Sequence, residues 1–234
     1  AKLKGGGIAA SEQHTKRQRE TPNANPEVRN IRFIGQLDTA SSPNLETLVR
    51  QRIGNQTIRK NAVECVEMVL TASPEYFRPD DPSRAGYYQQ QQLDNFQQAV
   101  HQWLDEKYGD RIVRAELHLD ESTPHIHAYL VPLDEKGKLN CRALFGGREK
   151  LSKFQDSYAL AMASLGLERG IKGSRATHTE VKEYYAAVTQ PPDLTLDMAT
   201  IHHQLVDRQR AIKEKEDLER TAKALAREKE VLQQ

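Results

Sequence analysis

The sequence predicts an α+β fold, an antiparallel β-sheet flanked by helices and followed by a charged helical extension. Three observations predict it. Residues 111–119 and 125–132 alternate in polarity with period two, and Glu121-Ser-Thr-Pro124 supplies a connection between them, the pattern of an antiparallel hairpin. Residues 86–108 and 148–165 instead repeat apolar side chains at helical spacing. Beyond Pro191-Pro192 the chain becomes charged and helix-forming.

In chain order, Ala1-Lys-Leu-Lys-Gly-Gly-Gly reads as the tail of a strand running into a glycine run. Residues 8–20 are polar and read as a short helix or a loop, and residues 21–30, with two prolines, as a loop. Residues 43–54 form a helix closed by Gly54. Residues 62–71 are rich in β-branched and apolar side chains and form a strand. In residues 86–108 the apolar stripe is Leu93, Phe96, Val100, Trp103, Leu104 and Tyr108, with Gly109 at its end.

On the next strand Ile112, Arg114, Glu116, His118 and Asp120 are expected on one face, and Val113, Ala115, Leu117 and Leu119 on the other. On its partner His125, His127 and Tyr129 share a face. Leu151, Phe154, Tyr158, Met162 and Leu165 make the stripe of the last helix, ended by Gly166. The expected division is a domain over residues 1–195 and an extension over 196–234. In that extension Leu218, Leu225 and Leu232 are seven residues apart, while Lys215 and Lys229 occupy companion positions. The pattern fits a dimerising helix and equally a solvated helix that packs back on the domain.

Composition narrows the function. No apolar run approaches the ~20 residues of a membrane helix, and no secretory signal is visible. Two cysteines, Cys65 and Cys141, are too few for a disulfide framework, and the expected compartment is a reducing cytoplasm. The net charge of +1 conceals an asymmetry, because residues 1–60 carry eleven basic side chains against five acidic ones. A basic segment on a near-neutral chain points to an anionic partner such as a phosphate backbone.

Three of the eight histidines, His118, His125 and His127, fall within ten residues. One residue separates His125 from His127, so a strand projects both imidazoles from one face, and the hairpin can bring His118 to them. Imidazole is the commonest protein ligand for transition metals, and three leave coordination positions open for substrate. An ion there polarises a phosphoryl oxygen. Three nitrogens suit zinc; phosphate chemistry and nearby carboxylates suit manganese or magnesium. Manganese is the expected ion. Asp120 and Glu121 flank the triad and can orient a ligand histidine or act as general base, and Glu67 is a further carboxylate within an apolar strand.

The block His118-Leu-Asp-Glu-Ser-Thr-Pro-His125-Ile-His127 resembles the signature of the Mob/Pre (MobV-type) plasmid mobilisation relaxases of the HUH endonuclease superfamily. Supporting segments follow in the same order: His14-Thr-Lys-Arg17, Ile58-Arg-Lys-Asn-Ala-Val63 and Ala143-Leu-Phe-Gly-Gly-Arg-Glu-Lys-Leu-Ser-Lys-Phe154. The resemblance implies an HUH-type sheet of about five antiparallel strands and a divalent metal on His118, His125 and His127. It implies a bacterial, plasmid-associated enzyme that nicks one strand at an origin of transfer and rejoins it, with single-stranded or hairpin-containing DNA as partner.

The MobV type is associated with a histidine nucleophile, which maps onto His14. Glu121, and after it Glu67, are the expected carboxylates that hold or deprotonate His14. Arg17, Arg59 and Lys60 fall in matched segments and are expected on DNA phosphates, with Arg142 and Arg148 extending that surface. Tyr87-Tyr88 and Tyr184-Tyr185 are the competing nucleophiles of a tyrosine-dependent replication or transposition initiator. A metal-dependent hydrolase of small substrates and a non-enzymatic DNA-binding module are the remaining alternatives.

Overall fold

The first strand, β1 (Lys2–Leu3), stops where Gly5 turns the chain at φ 43°, and α1 (Gly6–Thr15) starts inside the glycine run. The polar segment is therefore helical, and its helix begins earlier and ends sooner than residues 8–20. The proline-bearing loop leads to β2 (Ile31–Ile34). Gly35 closes β2 at φ 94°, in a space where a Cβ would meet the Val113 carbonyl oxygen at 3.0 Å, so only glycine fits this close approach. Helix α2 (Leu45–Ile53) is capped by Asn44, whose side chain accepts from the Thr47 N–H at 2.8 Å, and is closed by Gly54 as expected. Strand β3 (Cys65–Thr71) falls inside the expected segment and is followed by the single turn α3 (Pro74–Phe77).

Helix α4 (Gln90–Tyr108) buries all six side chains of its expected stripe. It begins at Gln90 rather than at residue 86, because Gly86 takes φ 75° and leaves Tyr87 and Tyr88 in the connection ahead of it. Strands β4 (Ile112–His118) and β5 (His125–Leu130) form the expected hairpin, and α5 (Cys141–Phe145) and α6 (Gly147–Met162) complete the unit.

The five strands make one antiparallel sheet in the order β1-β3-β5-β4-β2, the architecture that the family resemblance implies. One face is covered by α4 and α6, with Phe77, Phe96, Trp103 and Leu104 packed on Met68, Leu117, Ile126 and Leu130. The other face is covered by α1 and α2, with Ile8, Leu45, Val49 and Ile53 packed on Leu3, Cys65, Tyr129 and Val131. Each fully buried large apolar side chain contributes about 1.5–3 kcal/mol to this arrangement.

One face assignment changes. The β4–β5 register shifts between Ile112 and Arg114, so Ile112 packs with Ala115 and Leu117 instead of sharing the face of Arg114. A bulge inserts one residue and resets alternation, which period two alone does not reveal. Beyond it Arg114, Glu116 and His118 keep their expected common face.

The computed structural model describes residues 1–35 and 42–172, and its first compact unit spans Ala1–Arg169. The expected boundary at 195–196, Tyr184, Tyr185 and the C-terminal helix lie outside the described residues. No described helix is long and apolar enough to cross a membrane.

Candidate active site and metal centre

Strand alternation puts His125 and His127 on one face of β5, and the ladder pairs His118 with His125. The ring centroids of His118 lie 5.2 Å from His125 and 4.5 Å from His127, and those of His125 and His127 lie 5.0 Å apart. One ring nitrogen from each lies within 4.8 Å of the others. His118 and His127 are buried and His125 half-buried.

The outer nitrogens are already engaged. His125 Nδ1 donates to the Thr123 carbonyl at 3.0 Å and His127 Nδ1 to Glu67 Oε1 at 2.8 Å. Each acceptor holds the proton on Nδ1 and leaves the Nε2 lone pair for a metal. His118 Nδ1 lies 3.0 Å from Arg17 Nη2, while its Nε2 is buried and without a partner. An orphaned buried nitrogen costs about 1–3 kcal/mol, which a bound cation removes. Burial, with His127, His125 and Arg17 adding to it, pushes the His118 pKa down to about 2. Burial also lowers that of His125. Neutral imidazoles are the form that binds metal. The donor set therefore fits a divalent cation.

Glu67 stands beside Tyr129 in the β3–β5 ladder. Tyr129 Oη donates to its Oε1 at 3.3 Å, and Ser11 Oγ lies 2.9 Å from Tyr129 Oη. The structure thus brings Glu67 to His127, where its hydrogen bond fixes the ring. Glu67→Gln is expected to weaken Mn2+ binding by roughly 10–100-fold, read by isothermal titration. Unchanged affinity would remove this orienting role.

His14 sits in the last turn of α1, with its ring centroid 6.1 Å from that of His127 in an edge-on arrangement. Burial first, then the charges of Arg17 and His127, lowers its pKa, and Glu121 and Glu67 oppose this. His14 is therefore held neutral beside the three histidines, with two carboxylates near enough to stabilise a positive ring. What holds α1 there was not apparent in the sequence. Glu12 pairs with Arg114 on β4 at 2.8 Å, and both its oxygens accept from the Leu45 N–H at 3.0 Å, which also places a negative charge at the α2 N-terminus.

Arg17 ends α1 at φ 55°, the only positive φ at a non-glycine among the described residues. That turn aims its guanidinium into the site. Nε donates to Asp120 Oδ2 at 2.7 Å, and Nη2 donates at 2.7 Å both to Asp120 Oδ1 and to Glu121 Oε1. Asn23 Nδ2 donates to the second Glu121 oxygen at 2.7 Å, and Glu121 Oε1 is 3.9 Å from His125 Nε2. Asp120 thus orients Arg17, whose Nη2 also lies beside His118. Glu121 is brought to Arg17, Asn23 and the edge of the three-histidine cluster, and acts on His14 through charge.

Arg59 and Lys60 are exposed ahead of β3, at the sheet end away from the hairpin turn. Arg142 in α5 and Arg148 in α6 are also exposed. The structure does not gather these four around the histidines. Tyr87 is exposed under Arg84 at 4.5 Å, Tyr88 packs on the core, and neither contacts the three histidines.

Residues 1–186 match the family model Mob_Pre, described as plasmid recombination enzyme. The chain belongs to the Mob_Pre family. This Mob_Pre chain is 34% identical over 189 residues to a 65 kDa protein of Zymomonas mobilis, covering 79% of this chain and 31% of that one. It is 32% identical over 198 residues to a plasmid recombination enzyme of Streptococcus agalactiae, covering 80% and 38% respectively. The chain thus spans about a third of the length of these Mob_Pre relatives.

A solved Mob_Pre structure shares the fold. It is the MobM relaxase domain, Mn-bound and in complex with plasmid pMV158 oriT DNA of 22 nucleotides. The TM-score is 0.65 at 31% identity, covering 80% of this chain and 96% of that domain.

Proposed function

We propose that this chain is a relaxase, nicking one DNA strand at a plasmid origin of transfer, becoming joined to the cut strand through His14, and resealing it by the reverse reaction. The observation that carries this reading is the docking of His14 beside three histidines whose donor set fits a divalent ion. The Mn-bound, oriT-bound state of the similar MobM domain supports manganese on His118, His125 and His127 and DNA as substrate.

When bound, the ion supplies charge neutralisation and polarisation at the phosphoryl oxygens. The neutral His14 ring attacks phosphorus through its lone pair, forming a P–N bond as the bond to the 3′ oxygen breaks, and that oxygen takes a proton from water to become the 3′ hydroxyl. Glu121, steadied by Arg17 and Asn23, balances the positive charge that develops on the His14 ring. The phosphoramidate conserves the bond energy, so the 3′ hydroxyl can attack it and restore the strand. The two free cysteines, Cys65 and Cys141, support action in a reducing cytoplasm.

A supercoiled plasmid carrying the cognate origin tests this. Mn2+ is expected to give open circles with protein attached to one strand, and EDTA to abolish both. Failure to relax any candidate origin with Mn2+, Mg2+ or Zn2+ would return the chain to the non-nicking alternatives.

A further inference from the structure

The connection between β4 and β5 takes its shape from what packs on it. The Ser122 carbonyl accepts from the Gly86 N–H at 2.9 Å and from Arg78 Nη1 at 3.0 Å. The Thr123 carbonyl accepts from His125 Nδ1 at 3.0 Å, and the Pro124 carbonyl from the Thr71 hydroxyl at 2.9 Å. Pro124 has no N–H of its own to give. The turn's carbonyls thus look beyond its own backbone for their donors, and the setting of the His125 ring depends on how firmly Thr123 is held.

Arg78, just after α3, supplies much of that hold. It is only 3% exposed. Its Nε donates to the Pro82 carbonyl at 2.8 Å, Nη1 to the carbonyls of Tyr87 at 3.3 Å and Ser122 at 3.0 Å, and Nη2 to Thr123 Oγ1 at 3.3 Å. One side chain therefore ties the loop between α3 and α4 to the hairpin turn. All four acceptors are neutral, and Arg78 forms no ion pair among the described residues. A guanidinium stays charged at any working pH, and burying a charge without a counter-charge is costly. An apolar side chain would fill the same space without that cost. What arginine adds is a planar fork of donors in fixed geometry, enough to grip four oxygens at once.

We propose that Arg78 is a positioning residue of the metal centre, pinning Ser122 and Thr123 so that the Thr123 carbonyl keeps the His125 proton on Nδ1 and leaves Nε2 for a divalent cation. The inference rests on the reading of the three histidines as a metal site and adds the residue that sets one of them from behind. The path is short: Arg78 holds Thr123 by its hydroxyl, and Thr123 holds His125 by its carbonyl.

The test needs no DNA. Heteronuclear NMR of the imidazoles in the metal-free chain reports which nitrogen carries each proton, and Mn2+ titration reports affinity. In the wild type His125 and His127 are both expected to be protonated on Nδ1. Arg78→Met is expected to spread the His125 proton over both nitrogens and to leave His127, which Glu67 holds, unchanged. Mn2+ binding should weaken roughly 10-fold, the lower end of the effect of losing a ligand's orienting partner. Thr123→Val removes only the Nη2 contact and keeps the side chain's shape, so it should move both readouts the same way and by less. It also carries the test should Arg78→Met fail to fold. An unchanged His125 ring and unchanged affinity overturn the inference, and so does loss of the His125 and His127 signals together, which marks general loosening. A wild type that binds no Mn2+ overturns the metal site and this inference with it, whereas variants that bind Mn2+ as the wild type does overturn this inference alone.

Discussion

His14→Ala is expected to abolish the covalent protein–DNA adduct while leaving metal binding intact. The expected loss is at least about 10³-fold, because a missing nucleophile has no substitute within a centre that otherwise only positions and polarises. His14 is half-buried, and its ring approaches His127 edge-on without serving as a hydrogen-bond partner to His118, His125 or His127. Truncation therefore removes little packing and no ligand. Mn2+ affinity measured by titration separates loss of chemistry from loss of the site. Full adduct formation in His14→Ala would eliminate the histidine mechanism. Mapping the adduct to Tyr87, Tyr88, Tyr184 or Tyr185 by peptide mass would move the chain to the tyrosine class.

The second large effect is on stability. Arg114 is fully buried and its Nη1 is held by Glu12. Glu12→Leu leaves that guanidinium buried without its counter-charge, which costs roughly 3–5 kcal/mol, against a typical total of about 5–15 kcal/mol for a domain. It also releases the Leu45 N–H at the start of α2. The double variant Glu12→Leu with Arg114→Met removes both charges together and is expected to recover much of the loss in urea denaturation. Equal destabilisation of the single and double variants would show that the pair is not energetically coupled.

The same pair sets an acid limit. Burial raises the Glu12 pKa, but the hydrogen bonds from Arg114 and Leu45 and the charge of Arg114 outweigh it, so the folded value lies below the ordinary 4.5. Its contribution is present above the unfolded pKa and is lost as pH falls through the folded one. Stability of the wild type should thus decline below about pH 4.5. The double variant should show a smaller decline, since Asp120, lowered by Arg17, and other carboxylates remain. A wild type and double variant with parallel acid profiles would exclude Glu12 as a source.

What was legible in the sequence was local. The hairpin followed from polarity alternation, and the stripe of α4 from helical spacing, because backbone geometry imposes both within a few residues. The histidine triad was legible for the same reason: one intervening residue on a strand is enough to align His125 with His127. The four-residue β2 was not, since an edge strand this short carries too few alternations to register. The bulge at Ile112–Arg114 was not either, because register is a property of two strands rather than of one.

The sequence by itself determined the sheet's central hairpin, the helices around residues 43–54, 86–108 and 148–165, and the three imidazoles on one face. The resemblance pointed to His14, but only the tertiary structure brought it within reach of them, through the Glu12–Arg114 pair spanning 102 positions. Only the tertiary structure turned Arg17 inward onto Asp120 and Glu121 and assigned Glu67 to His127. The physical reason is range. Periodicity is written into neighbouring residues, whereas a buried charge finds its partner wherever folding brings the opposite sign.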